Sequence, residues 1–206
     1  MDAYFRWFGL PGAVVLTSLL SSFALLRALM DPTPVHWVCF AAMALSSVGD
    51  VFLAHLKKLN ERFKNCFLIG AVFFMAAHLV YILCYGMKWT AVGAVSLNGG
   101  TAAAGGIGLL ALLLMLTLSI RRHKTKALPL ILVYLTIILL NCAVVFSYAW
   151  AQGLTSASGL CAAAGVLSFL LSDLVIGLNL AGGIHRFDKL IWWLYPIGQF
   201  RLILGA

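Results

Sequence analysis

The sequence predicts an all-α fold, a polytopic transmembrane helical bundle of seven helices that forms a single integral membrane domain over residues 1–206. Three observations carry this. The 206 residues are 63% hydrophobic and only 10% charged, against about 45–50% and 25% in soluble domains. A soluble core of this size could not bury so much apolar surface, because part of any fold must face water. The mean hydropathy is +1.04, and the apolar residues fall in runs of about 20, the length that crosses a bilayer.

The runs are taken in order. The first is Gly9–Leu29, which continues without an A-x-A-like site and reads as a span rather than a cleaved leader. The second is His36–Leu56 and the third Cys66–Gly86. The stretch Thr90–Ile120 is longer than one span and glycine-rich in its first half, so it fits one pass or two short ones. The fifth run is Ala127–Trp150, the sixth Ala157–Leu180 and the seventh Lys189–Gly205.

Charge decides the ambiguous stretch. If it crosses once, one side of the membrane holds Arg6, Lys57, Lys58, Arg62, Lys64, Arg121, Arg122, Lys124, Lys126, Arg186 and Lys189, which is 11 of the 14 basic residues. The other side holds Arg27, Lys88 and Arg201. A second pass would break that segregation, so the positive-inside rule favours seven helices with the N-terminus cytoplasmic and the C-terminus outside. The net charge of +8 is therefore topological and calls for no nucleic acid. The five cysteines form no C-x-x-C pair and read as small apolar residues.

Two acidic residues stand out. Asp2, Asp31, Glu61 and Asp188 belong to the N-terminal segment or loops, but Asp50 and Asp173 lie within apolar runs. An ionisable group there costs several kcal/mol unless it is paired or wet, which makes it a candidate functional residue. Asp50 precedes Leu56 by six residues and Asp173 precedes Leu180 by seven, so both should lie ~9–10 Å from the cytoplasmic end of their spans. Tyr134, Tyr195, Gln199, His78 and Tyr81 are the other polar groups expected to line a cavity, with Ser172 beside the second aspartate. Asn141 and Asn179 read as structural, and His36, His55, His123 and His185 as interfacial.

The segments Leu45–Leu53 (L-S-S-V-G-D-V-F-L), Ile69–Phe74 running to His78-Leu79-Val80-Tyr81, Gly165–Asp173 and Tyr195-Pro196-Ile197-Gly198-Gln199 occur in this order. Together they resemble the YhhN membrane family, whose characterised members are lysoplasmalogenases. Longer relatives carry an eighth helix ahead of the element with which this chain begins. Pro196 and Asn141 stand where many relatives have an aromatic residue and a methionine. The resemblance implies hydrolysis of the vinyl ether bond of a lysoplasmalogen, with Asp50 and Asp173 at the two catalytic acidic positions. It implies a lysophospholipid substrate, no cofactor and no metal, in a bacterial inner membrane or the endoplasmic reticulum.

The chemistry suits two carboxyls. Vinyl ether hydrolysis begins with protonation of carbon, giving an oxocarbenium ion that a carboxylate can steady before a base activates water. Which aspartate is the acid stays open. A proton-coupled carrier is the alternative, because transporters also use intramembrane carboxylates. A zinc hydrolase would want several ligands near His78, and a retinal protein would want a mid-span lysine.

Overall fold

The computed structural model of the protein describes residues 6–7, 10–54, 57–93, 99–121, 128–153, 155–183 and 186–206. Asp2, Gly9, His55, Leu56, Arg122, His123, Lys124, Lys126, Ala127 and His185, named above, lie outside the described residues. A two-residue antiparallel ladder, Arg6–Trp7 with Leu10–Pro11, precedes the helices. Then follow α1 (Gly12–Met30), α2 (Pro34–Leu53), α3 (Lys57–Arg62), α4 (Cys66–Ala91), α5 (Gly99–Arg121), α6 (Leu128–Gln152), α7 (Ala157–Gly182) and α8 (Asp188–Gly205).

The helix ends follow local chemistry. Pro34 opens α2, and the Thr33 side chain accepts the His36 N–H at 3.2 Å. Ser156 caps α7 by accepting from Gly159 N at 3.0 Å. Gly183 ends α7 in the left-handed region at φ 61°, where a Cβ would be strained.

Among the described residues six helices, α1, α2 and α4–α7, are long and apolar enough to cross a membrane. The stretch that admitted one pass or two is the single helix α5. The seventh run, α8, is not among the six: Asp188, Lys189 and Arg201 fall within its 18 residues. It takes its place from packing along α7. Two boundaries also move. Helix α2 stops at Leu53 rather than Leu56, because the basic helix α3 starts at Lys57. Helix α4 continues past Gly86 to Ala91 and draws Lys88 into a helix.

The chain forms two units, Met1–Cys84 and Tyr85–Ala206. In the first, α1 packs on α2, and Ser47 Oγ donates to Thr17 O at 2.9 Å across that interface. Helices α2 and α4 meet backbone to backbone: a Cβ on Gly70 would lie 3.1 Å from Gly49 O. Aliphatic surface offers little drive for association in lipid, so such close approach supplies the contact. Phe52 stacks on Phe73 at 5.7 Å beside it.

In the second unit α5, α6 and α7 share a cluster of Ala111, Met115 and Leu135, with Ile131, Leu139, Leu174 and Leu178 around it. Gly100 of α5 lies so close to α6 that a Cβ would clash with the Phe146 carbonyl. Helix α8 runs antiparallel to α7, with glycine at two of its close approaches. Gly198 sits on Gly165 and Phe169, and Gly205 on Ala162. Four of the five cysteines are buried and all are free thiols, in keeping with their apolar surroundings.

Candidate active site

Each aspartate lies within its own unit. In the first unit, Asp50 follows Gly49, whose missing side chain lets α4 approach; a Cβ there would meet the Phe74 ring at 2.8 Å. Asp50 is only 8% exposed. It stands three residues before the end of α2, and its backbone carbonyl accepts the Ala54 N–H at 2.8 Å. His78 and Tyr81, on α4, are both buried. Tyr81 Oη lies 3.9 Å from Met43 Sδ, seven residues before Asp50 on α2. His78 is eight residues beyond Gly70 on α4, so it and Tyr81 lie about two turns, ~12 Å, further along the helix pair than Asp50.

In the second unit, Asp173 is 9% exposed on α7. Three helices bring polar groups to its level. The Phe169 and Tyr195 rings meet edge to face at 5.4 Å, one turn from Asp173. Tyr148 and Ser158 hydroxyls are 2.6 Å apart where α6 meets α7. From there fifteen residues along α7 reach Asp173, and fourteen back along α6 reach Tyr134. Tyr195 thus lies about one turn from Asp173, and on α6 the thiol of Cys142, between Tyr148 and Tyr134, interacts electrostatically with that carboxyl.

Ser172 is fully buried. Other helical serines, such as Ser46 and Ser168, donate back to the carbonyl four residues earlier, at 3.1 and 2.8 Å. Ser172 Oγ makes no such bond and has no hydrogen-bond partner among the described residues. Gln199, also fully buried, follows Gly198 at the crossing with Gly165, about two turns from the Asp173 level. The structure thus sets Ser172 beside Asp173 and Tyr195 about one turn from it, leaves Tyr134 further along α6, and sets His78, Tyr81 and Gln199 about two turns from their aspartates.

The equal depth expected from the sequence changes once the helix ends are known. Asp50 is three residues from the end of α2 and Asp173 nine from the end of α7, ~4.5 and ~13.5 Å. The reason is the early stop at Leu53 and the two further residues that carry α7 to Gly182. His36, read as interfacial, is buried at the start of α2, with Nδ1 2.7 Å from Asp31 O and 3.4 Å from Asp31 Oδ2.

Asn141, read as structural, is fully buried on α6. One feature escaped the sequence reading: Lys88, counted from the sequence only as a basic residue of the outer side, is a half-buried hub of hydrogen bonds in the second unit. The signal for it was present: the apolar run resumes after it with Trp89 and Ala91. Among the described residues no three His, Cys, Asp or Glu side chains gather as metal ligands would.

The sequence matches the family model described as the YhhN family over residues 12–206. No curated protein and no solved structure matches it significantly.

Proposed function

For this chain, which belongs to the YhhN family, we propose a lysoplasmalogenase activity: hydrolysis of the vinyl ether of a lysophospholipid to a fatty aldehyde and a glycerophospho-alcohol, through Asp50 and Asp173. The observation that carries this is the near-complete burial of both carboxyls on apolar helices, in a family match that spans both.

The reaction sets the roles. One carboxylic acid delivers its proton to the alkene carbon nearer the alkyl chain, and the C=C electrons form that C–H bond. The neighbouring carbon becomes an oxocarbenium ion, which the other carboxylate stabilises. Water adds to that carbon and gives its proton to the carboxylate. The hemiacetal then breaks its C–O bond to release aldehyde and alcohol. Tyr195 and Ser172 around Asp173 offer hydroxyls to orient the ether oxygen or the water. Apolar helices accommodate the tail, and the basic loops suit a phosphate head.

The test is product chemistry in D₂O with purified protein and a lysoplasmalogen, no metal being added. Aldehyde carrying one solvent deuteron on C2 is the expected product, since only carbon protonation places it there. Release of fatty acid, or absence of aldehyde, overturns the proposal. Substrate-driven proton movement across sealed vesicles without aldehyde would instead assign the chain to the carriers.

A further inference from the structure

The last turn of a helix leaves four carbonyls without intrahelical partners, and within an apolar bundle no water replaces them. For α8, side chains of other helices take over. Tyr85 Oη, from α4, donates to Leu202 O at 2.7 Å. Ser158 Oγ, from α7, donates to Gly205 O at 2.8 Å. Lys88 Nζ donates to Gly205 O at 2.6 Å and Ala206 O at 2.7 Å, and reaches Ser158 Oγ at 3.3 Å. An ammonium has three N–H groups, and three acceptors receive them. The charge also lies 5.1 Å from the centre of the Tyr148 ring, within cation–π range. Lys88 therefore has no proton left for a lipid phosphate. Its charge caps the negative end of the α8 dipole from a different helix.

Burial along α8 shows what the cap holds. Gly198, Gln199, Leu202, Ile203, Gly205 and Ala206 are buried, whereas Leu190, Trp193 and Ile197 are exposed. Pro196 separates the two halves and removes the hydrogen bond its N–H would have made to Trp192 O. The capped half carries Gln199 in an unbroken helix, while Tyr195 lies across the proline.

We infer that Lys88 is a positioning residue: by capping the end of α8 it fixes the height and rotation of Gln199. This rests on the lysoplasmalogenase proposal together with the expectation from the sequence that Gln199 lines the substrate cavity. The experiment combines a double-mutant cycle with hydrogen exchange on the full-length protein in nanodiscs. Lys88→Met and Gln199→Leu should each raise KM for lysoplasmalogen about tenfold with kcat little changed, and the double variant should resemble Gln199→Leu alone. Lys88→Arg, which still donates to both carbonyls, should restore the wild-type KM. Exchange of the amides of residues 199–206 should rise in Lys88→Met and not in Lys88→Arg.

Additive effects on KM, or unchanged exchange in Lys88→Met, overturn the inference. If the wild type releases no aldehyde, the functional proposal fails by itself and the exchange measurement still decides the cap. If Lys88→Met does not fold, Ser158→Ala removes one donor to Gly205 O and one Lys88 acceptor, and should shift exchange and KM in the same direction by less.

Discussion

A carboxyl group on an apolar helix is costly, and Asp50 and Asp173 are each more than nine-tenths buried. Their roles can be tested at single atoms. Replacing Asp by Asn keeps the shape and removes the acid, so Asp50→Asn and Asp173→Asn should each lower aldehyde release by at least about 10²–10⁴-fold, the range that general acid–base groups contribute. Unfolding temperature in detergent should stay close to wild type or rise, because a buried charge has been removed. Two inactive but folded variants support acid–base roles for both; one fully active variant removes that residue from the mechanism. Ser172 is subtler. A buried hydroxyl that neither back-bonds nor meets a side chain retains its hydrogen-bonding capacity for a substrate or water.

At the scale of elements, the pairing of α7 with α8 carries the second unit's polar groups, and glycine makes it possible. A Cβ at Gly198 would come 2.9 Å from Phe169 N and 3.1 Å from Gly165 O. Both are backbone atoms of a packed helix and cannot rotate away. Gly198→Ala should therefore cost about 1–3 kcal/mol by overpacking, read as a lowered unfolding temperature, and should move Tyr195 and Gln199 relative to Asp173. Gly105 on α5 is the internal control, since a Cβ there meets nothing within 4 Å. Gly105→Ala should stabilise by roughly 0.5–1 kcal/mol through helix propensity alone. Equal responses at the two positions would show that the α7–α8 contact is not close-packed in solution.

For the whole molecule the distribution of basic residues makes a topological prediction. With seven crossings, a reporter active only outside the cytoplasm should work when fused after Ala206 and fail when fused between α5 and α6, where Arg121, Arg122, Lys124 and Lys126 cluster. Failure at both points would mean that α8 does not cross. Hydropathy alone leaves α8 aside because of Asp188, Lys189 and Arg201. Its antiparallel run along α7, from Tyr195 at Phe169 to Gly205 at Ala162, puts it at the depth of a helix that does qualify.

The helical membrane setting, the single helix α5 and the burial of the two aspartates were legible in the residues, because each depends on a local cost: apolar length against bilayer thickness, or a charge against lipid. The helix ends were less so. The stop at Leu53 and the extension to Ala91 depend on where α3 begins and on what receives Lys88, and neither is a hydropathy signal. Partner choice was not legible at all. These helices are apolar on every side, so no amphipathic stripe marks the face that meets a neighbour. Only the packed structure shows that Gly198 seats on Gly165, that Tyr195 meets Phe169 one turn from Asp173, and that a lysine caps the end of another helix. Contacts of that kind arise from shape and hydrogen-bond demand between distant segments, which the order of residues along any one segment does not record.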